Sequence, residues 1–148
     1  MLGGRKGTRT AVLSDSRAPD LTDLDSLVGG LCDGGLPLTV AVEVDPEQVS
    51  ARSSQLAYRI IQEGTTNVIR HAGCAPTSVQ VVRRSDALLV RVHNAGSARP
   101  GPRPGPGGGR GITGLRERVL GDGGELVARP LDDGGFELVA TMPLRDLG

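Results

Sequence analysis

"TSVQVVRRSDALLVRVHN", residues 77–94, decides the architecture. It holds two β-rich runs, 77–84 and 87–94, separated only by Ser85-Asp86, and so reads as two strands folded back on each other in a hairpin. The chain closes in the same way: "GELVARPLDDGGFELVATMPL", residues 124–144, is a second hairpin around Asp132-Asp133-Gly134-Gly135. Upstream, "LPLTVAVEVD" (36–45) alternates Leu38, Val40, Val42 and Val44 with Thr39, Ala41 and Glu43, the pattern of a strand with one buried face.

Three helical segments lie between and before these strands. Residues 19–35 place Leu21, Leu24, Leu27, Val28 and Leu31 on one apolar stripe, opened by Pro19-Asp20 and closed by Gly34-Gly35. A long helix follows the break at Pro46 and stops near Gly73. A short one, "ITGLRERVLGDGG" (112–124), turns Leu115, Val119 and Ile112 inward. Strands arranged in hairpins, rather than in repeated strand-helix-strand units, call for a mixed, mostly antiparallel sheet covered on one face by about three helices. The expected fold is a two-layer α/β sandwich over residues 18–148. Residues 1–17 show no sustained period and read as a flexible lead-in.

Composition removes several functions. The 148 residues carry 17 basic and 17 acidic side chains, one Tyr, one Phe and no Trp, which is neither the charge nor the stacking inventory of a nucleic-acid binder. No run approaches the roughly 20 apolar residues of a membrane span. Cys32 and Cys74 lack metal-type spacing and read as buried or half-buried thiols in a reducing, cytoplasmic compartment.

The long helix is the chemically unusual element. In "RIIQEGTTNVIRHAG" (59–73), Glu63, Asn67, Arg70 and His71 stand at i, i+4, i+7 and i+8 and share one face, while Ala57, Ile61, Val68 and Ala72 occupy another. A solvated face is one reading. A mid-helix Asn is a poor helix former, however, and an amide oxygen flanked by a carboxylate and a guanidinium suits Mg²⁺ carried by a polyphosphate. Downstream, "GRGITG" (109–114) joins a Gly/Pro-rich stretch (96–111) to a helix start, where glycines admit a phosphate to free N–H groups. No strand directly precedes these glycines, which counts against a dinucleotide fingerprint. "HNAGS" (93–97) sits between the two, with Asn94 ending a strand.

Together, "QEGTTNVIRHA", "NAG" and "GRGITGLRERV" resemble the ATP-binding domain of bacterial sensor histidine kinases, within the group shared with gyrase-type ATPases, Hsp90 and MutL (the Bergerat or GHKL fold). The closest likeness is to the subfamily that signals to response regulators with helix-turn-helix output domains, and it covers about residues 18–144. The resemblance implies ATP and Mg²⁺ as cofactors, with Asn67 on the metal and Glu63 as the acid that orients or deprotonates a nucleophile. It implies Arg70 and His71 beside the phosphates, and Asn94 and Gly96 at the adenine. Gly109, Arg110, Gly111, Ile112, Gly114 and Leu115 would form the second glycine box, and residues 97–108 a lid. Asn94 replaces the family's usual Asp and retains only an amide acceptor, Ala98 replaces a glycine, and Phe136 stands where relatives carry Thr.

The chain has only His71 and His93; the first belongs to the nucleotide motif and the second reads as a sheet residue. An isolated, monomeric catalytic domain is therefore expected, whose phosphoacceptor and dimerisation domain and downstream response regulator lie in other segments or proteins. Two other readings share the sequence: a Ser/Thr kinase of the anti-sigma-factor type on the same fold, and a non-catalytic interaction module.

Overall fold

In the computed structural model, which describes residues 18–96 and 110–144, the hairpin turns at Ser85, whose φ of +53° is the left-handed conformation a tight reversal needs. The lead-in 1–17, the lid 97–108 and Gly109 lie outside the described residues. Strands β1 (Leu38–Glu43), β2 (Thr77–Arg84), β3 (Ala87–Asn94), β4 (Glu125–Pro130) and β5 (Phe136–Pro143) form one sheet in the order β1-β2-β3-β5-β4. The β1–β2 pair is parallel and the other three pairs are antiparallel, so the sheet is mixed as the hairpins required.

Helices α1 (Leu24–Asp33), α2 (Ala51–His71) and α3 (Arg110–Gly121) supply the second layer. Their ends follow local chemistry. Ser50 caps α2 by accepting from the Ser53 N–H at 3.1 Å. α1 stops where Gly35 turns left-handed (φ +101°), and the Leu36 N–H reaches back to the Leu31 carbonyl at 3.1 Å. α3 ends alike, with Gly123 at φ +89° and the Gly124 N–H on Val119 O at 2.8 Å.

The core lies between the layers. Alternate strand residues Val79, Val81, Leu88, Val90, Val92, Leu126, Leu138, Ala140 and Met142 are buried against Leu56, Ala57, Ile60 and Ile61 of α2 and Ile112, Leu115 and Val119 of α3. The period of two along each strand thus meets the 3.6-residue period of each helix on one face. Two expectations need correction. Val42 remains 41% exposed because β1 is an edge strand that α1 covers only in part. Cys32 is exposed on α1, and only Cys74 is half-buried.

Gly64 lets α2 lie close on the sheet. A Cβ there would stand 3.0 to 3.2 Å from the Val92 side chain. Gly64→Val should therefore overpack this crossing and cost about 1–3 kcal/mol. Urea unfolding reads the effect, and an unchanged midpoint would show that the crossing relaxes freely.

The sheet face away from the helices carries one ionic cluster. Glu137 on β5 is buried beneath Arg91 of β3 (Nε–Oε2 2.5 Å) and Arg129 of β4 (Nη2–Oε1 2.9 Å). Burial pushes the carboxyl up, but the hydrogen bonds and charges of the two guanidiniums outweigh it and hold the group below the usual carboxylate range. A lowered folded-state value means the stabilisation is complete above the unfolded carboxyl's pKa, about 4.3, and is lost as pH falls through the folded one. Glu137→Gln should accordingly lower the melting temperature at pH 7, with the gap to wild type narrowing as the solution is acidified. A gap that stays constant with pH would remove the charge from the account.

Candidate functional site

α2 leaves the sheet at the end where β2 begins, and there Thr77 is paired with Asn94. Val92 and Asn94 share the helix-facing side of β3, and Gly64 rests on Val92. Asn94 therefore stands beside the second half of α2, the half that carries Glu63, Asn67, Arg70 and His71.

That half is polar in an unusual way. Thr65 is fully buried and resolves its hydroxyl locally, donating to Ile61 O at 2.8 Å. Asn67 has no such solution. Its Oδ1 is shut off from water with no hydrogen-bond partner, and so are both ring nitrogens of His71 one turn on. A buried acceptor without a donor costs about 1–3 kcal/mol, and such groups are scarce in folded proteins. These atoms are the ones expected to face a metal-bound phosphate, and an amide oxygen that seeks a cation fits Mg²⁺ chemistry. Arg70 is exposed on the same helix end, where it also complements the helix dipole.

Glu63 points to α3. A Cβ on Gly111 would fall within 2.6 Å of both Glu63 carboxylate oxygens, so the acid packs directly on the first turn of that helix. The glycine-rich motif and the acid, 48 positions apart in the chain, are brought together. α3 begins at Arg110, two residues before the helix expected from periodicity, so Gly111 and Gly114 are helical. Gly114 is exposed with open space around it, whereas Ile112 and Leu115 are buried in the core. Their part is to seat the helix.

At the other side of the site, the end of β3 is pressed against the β4–β5 turn. Asn94 is buried, its side-chain NH₂ donates to Ala95 O at 3.0 Å, and the amide oxygen is the atom able to accept from a ligand. Ala95 N–H bonds to Pro76 O at 2.9 Å. A Cβ on Gly96 would collide with the Asp133 carbonyl, and one on Gly135 with the Asn94 carbonyl. Asp133 itself accepts from the Gly135 N–H at 2.8 Å. The sequence marked 132–135 as a turn but gave no sign that it supports the Asn94 loop, because the contact joins segments distant in the chain. A shallow trough of about 560 Å³ near Arg84, Asp86 and Glu125 opens at the opposite end of the sheet and takes no part in this arrangement.

Among the described residues, no group of three or more His, Cys, Asp or Glu could hold a metal by itself, so an ion at Asn67 would arrive with its own oxygen ligands. No helix there is long and apolar enough to cross a membrane.

Comparison with known proteins agrees with this geometry. No protein-family model matches the chain. It is 31% identical over 86 residues to the signal transduction histidine-protein kinase/phosphatase UhpB of Salmonella typhimurium, covering 56% of this chain and 16% of that protein. It is 30% identical over 91 residues to the sensor histidine kinase YxjM of Bacillus subtilis, covering 62% and 21%. The sensor histidine kinase LnrJ of the same organism is 26% identical over 134 residues, covering 89% and 32%. The chain thus spans a third or less of the length of these relatives. Among solved structures, the histidine kinase domain of the Erythrobacter litoralis EL346 blue-light activated kinase superposes with a TM-score of 0.57 at 25% identity, covering 90% of this chain and 65% of that one. The catalytic domain of histidine kinase ThkA matches in fold, with a TM-score of 0.55 at 16% identity over 87% of this chain and 97% of that domain. The chain is a homologue of sensor histidine kinases and is built on the α/β sandwich of their catalytic domains.

Proposed function

We propose that this domain binds Mg·ATP along the polar ridge of α2 and presents its γ-phosphoryl group to a histidine on a separate phosphoacceptor domain, with a response regulator downstream. The observation that carries this reading is the set of sealed, unpartnered atoms at Asn67 and His71, one turn from an acid packed on the glycine start of α3.

Each residue then has a task. Asn67 Oδ1 would hold the metal, and a bound Mg²⁺ supplies charge neutralisation and alignment of the phosphate oxygens. His71 and Arg70 would meet the phosphate chain as hydrogen-bond donors and positive charge. Glu63 would orient or deprotonate the incoming nucleophile. Asn94, with its oxygen free to accept, would take the adenine amino hydrogen, without the charge assistance a carboxylate gives. Gly96 and the 132–135 turn keep that acceptor in place. Transfer breaks the bond from the γ-phosphorus to the bridging oxygen, with ADP leaving, and forms a P–N bond to the acceptor imidazole. Most of the work is positioning and electrostatics.

Calorimetric titration with ATP in Mg²⁺ and in EDTA tests the reading. Micromolar to millimolar affinity in Mg²⁺, weakened by chelation, is expected; affinity that is identical in EDTA, or absent in both, would overturn it.

A further inference from the structure

The Glu63 carboxylate stands where an anion is wanted. α3 has 12 residues, and the N–H groups of its first turn have no helical acceptor. A negative group beside them is favoured by those donors and by the aligned peptide dipoles. Gly111 makes the approach feasible, since any side chain there would occupy the volume of the carboxylate. Further along α2, at one and two turns, the sealed Asn67 Oδ1 and His71 nitrogens face the same region without partners. One site thus holds atoms waiting for a ligand and a helix start already taken by the protein's own acid.

We propose that Glu63 competes with the terminal phosphate of the nucleotide: in the nucleotide-free chain its carboxylate occupies the first turn of α3, and an incoming triphosphate expels it. This rests on the reading of the α2 ridge as a phosphate site. It adds a regulatory consequence. A triphosphate releases the acid for use on a nucleophile, whereas a diphosphate, one phosphate shorter, leaves the Glu63–Gly111 contact in place. The exchange therefore couples release of the acid to the presence of the group to be transferred, at the expense of some affinity for ATP.

The test compares wild type with Glu63→Gln, which keeps the size and removes the charge. Calorimetry with ATP, ADP and adenosine in Mg²⁺ should show ATP binding about three- to tenfold tighter to the variant, from the favourable charge at a helix start that the phosphate no longer has to displace. ADP should gain little and adenosine nothing. In ¹H–¹⁵N spectra, the Gly111 amide should shift on substitution and, in wild type, on addition of ATP. Unchanged or weaker ATP affinity in the variant, an equal gain for adenosine, or a Gly111 amide indifferent to Glu63 would overturn the proposal alone. Failure of both proteins to bind ATP would remove the phosphate site itself and the proposal with it.

Discussion

Asn67→Ala should abolish the Mg²⁺-dependent part of ATP binding while leaving the nucleotide-free domain at least as stable as wild type. The two halves of this expectation have one cause. Asn67 Oδ1 is buried without a partner, so the folded chain carries an uncompensated polar atom, and Asn is also a weaker helix former than Ala. Truncation removes both penalties, offset by the loss of some packing, and the unfolding free energy should stay level or rise by up to about 1 kcal/mol. Binding pays the whole cost. Loss of a direct oxygen ligand should weaken Mg·ATP by about ten- to a hundredfold, or about 1.4–2.8 kcal/mol, and affinity in EDTA should not change. Calorimetry with and without Mg²⁺ and a urea melt give the two readings. If Asn67 were a structural residue, the melt would move down and the metal dependence would persist.

Gly96→Ala should be damaging at a position where the chemistry of the side chain is trivial. The added methyl would be driven into the Asp133 carbonyl, a backbone atom of a turn already pinned by the Gly135 N–H to Asp133 bond. Neither side can yield without disturbing Asn94, whose carbonyl lies against Gly135. Overpacking of this kind costs about 1–3 kcal/mol, which for a domain of this size lowers the melting temperature by roughly 3–10 °C. Adenine recognition should fall with it, because the Asn94 amide is displaced. Gly114→Ala is the matched control: nothing lies within 4 Å of the site of its Cβ, and in mid-helix the substitution should be neutral or stabilising by up to about 1 kcal/mol. Equal melting of the Gly96 variant and wild type would mean that the β3 end and the 132–135 turn are not in contact.

The sheet and the long helix were legible because their periods are clean. Residues 77–84 and 87–94 form strands with the bounds expected, and Ala57, Ile61 and Val68 lie on the buried side of α2. The start of α3 was not legible. Gly111 and Gly114 weaken a helix by propensity, and nothing local reveals that the bare Cα of Gly111 is needed by Glu63. Gly64 is the same case, since its reason is Val92, on another element. The Arg91–Glu137–Arg129 cluster spans three strands and became visible only once their register was known. The ridge of Glu63, Asn67, Arg70 and His71 could be read from helical spacing, but the burial of Asn67 Oδ1 and the His71 nitrogens depends on packing that spacing does not determine. What remains between segments, rather than within them, is what sequence reading misses.

The most direct measurement replaces Mg²⁺ with paramagnetic Mn²⁺ in the presence of a non-hydrolysable ATP analogue and follows ¹H–¹⁵N resonances. The account predicts that the Asn67 side-chain amide broadens first, with the Glu63 and Gly111 backbone amides close behind and the Arg84–Ala87 end of the sheet unaffected. Broadening centred at that far end, or an unperturbed Asn67 amide at saturating analogue, would contradict it.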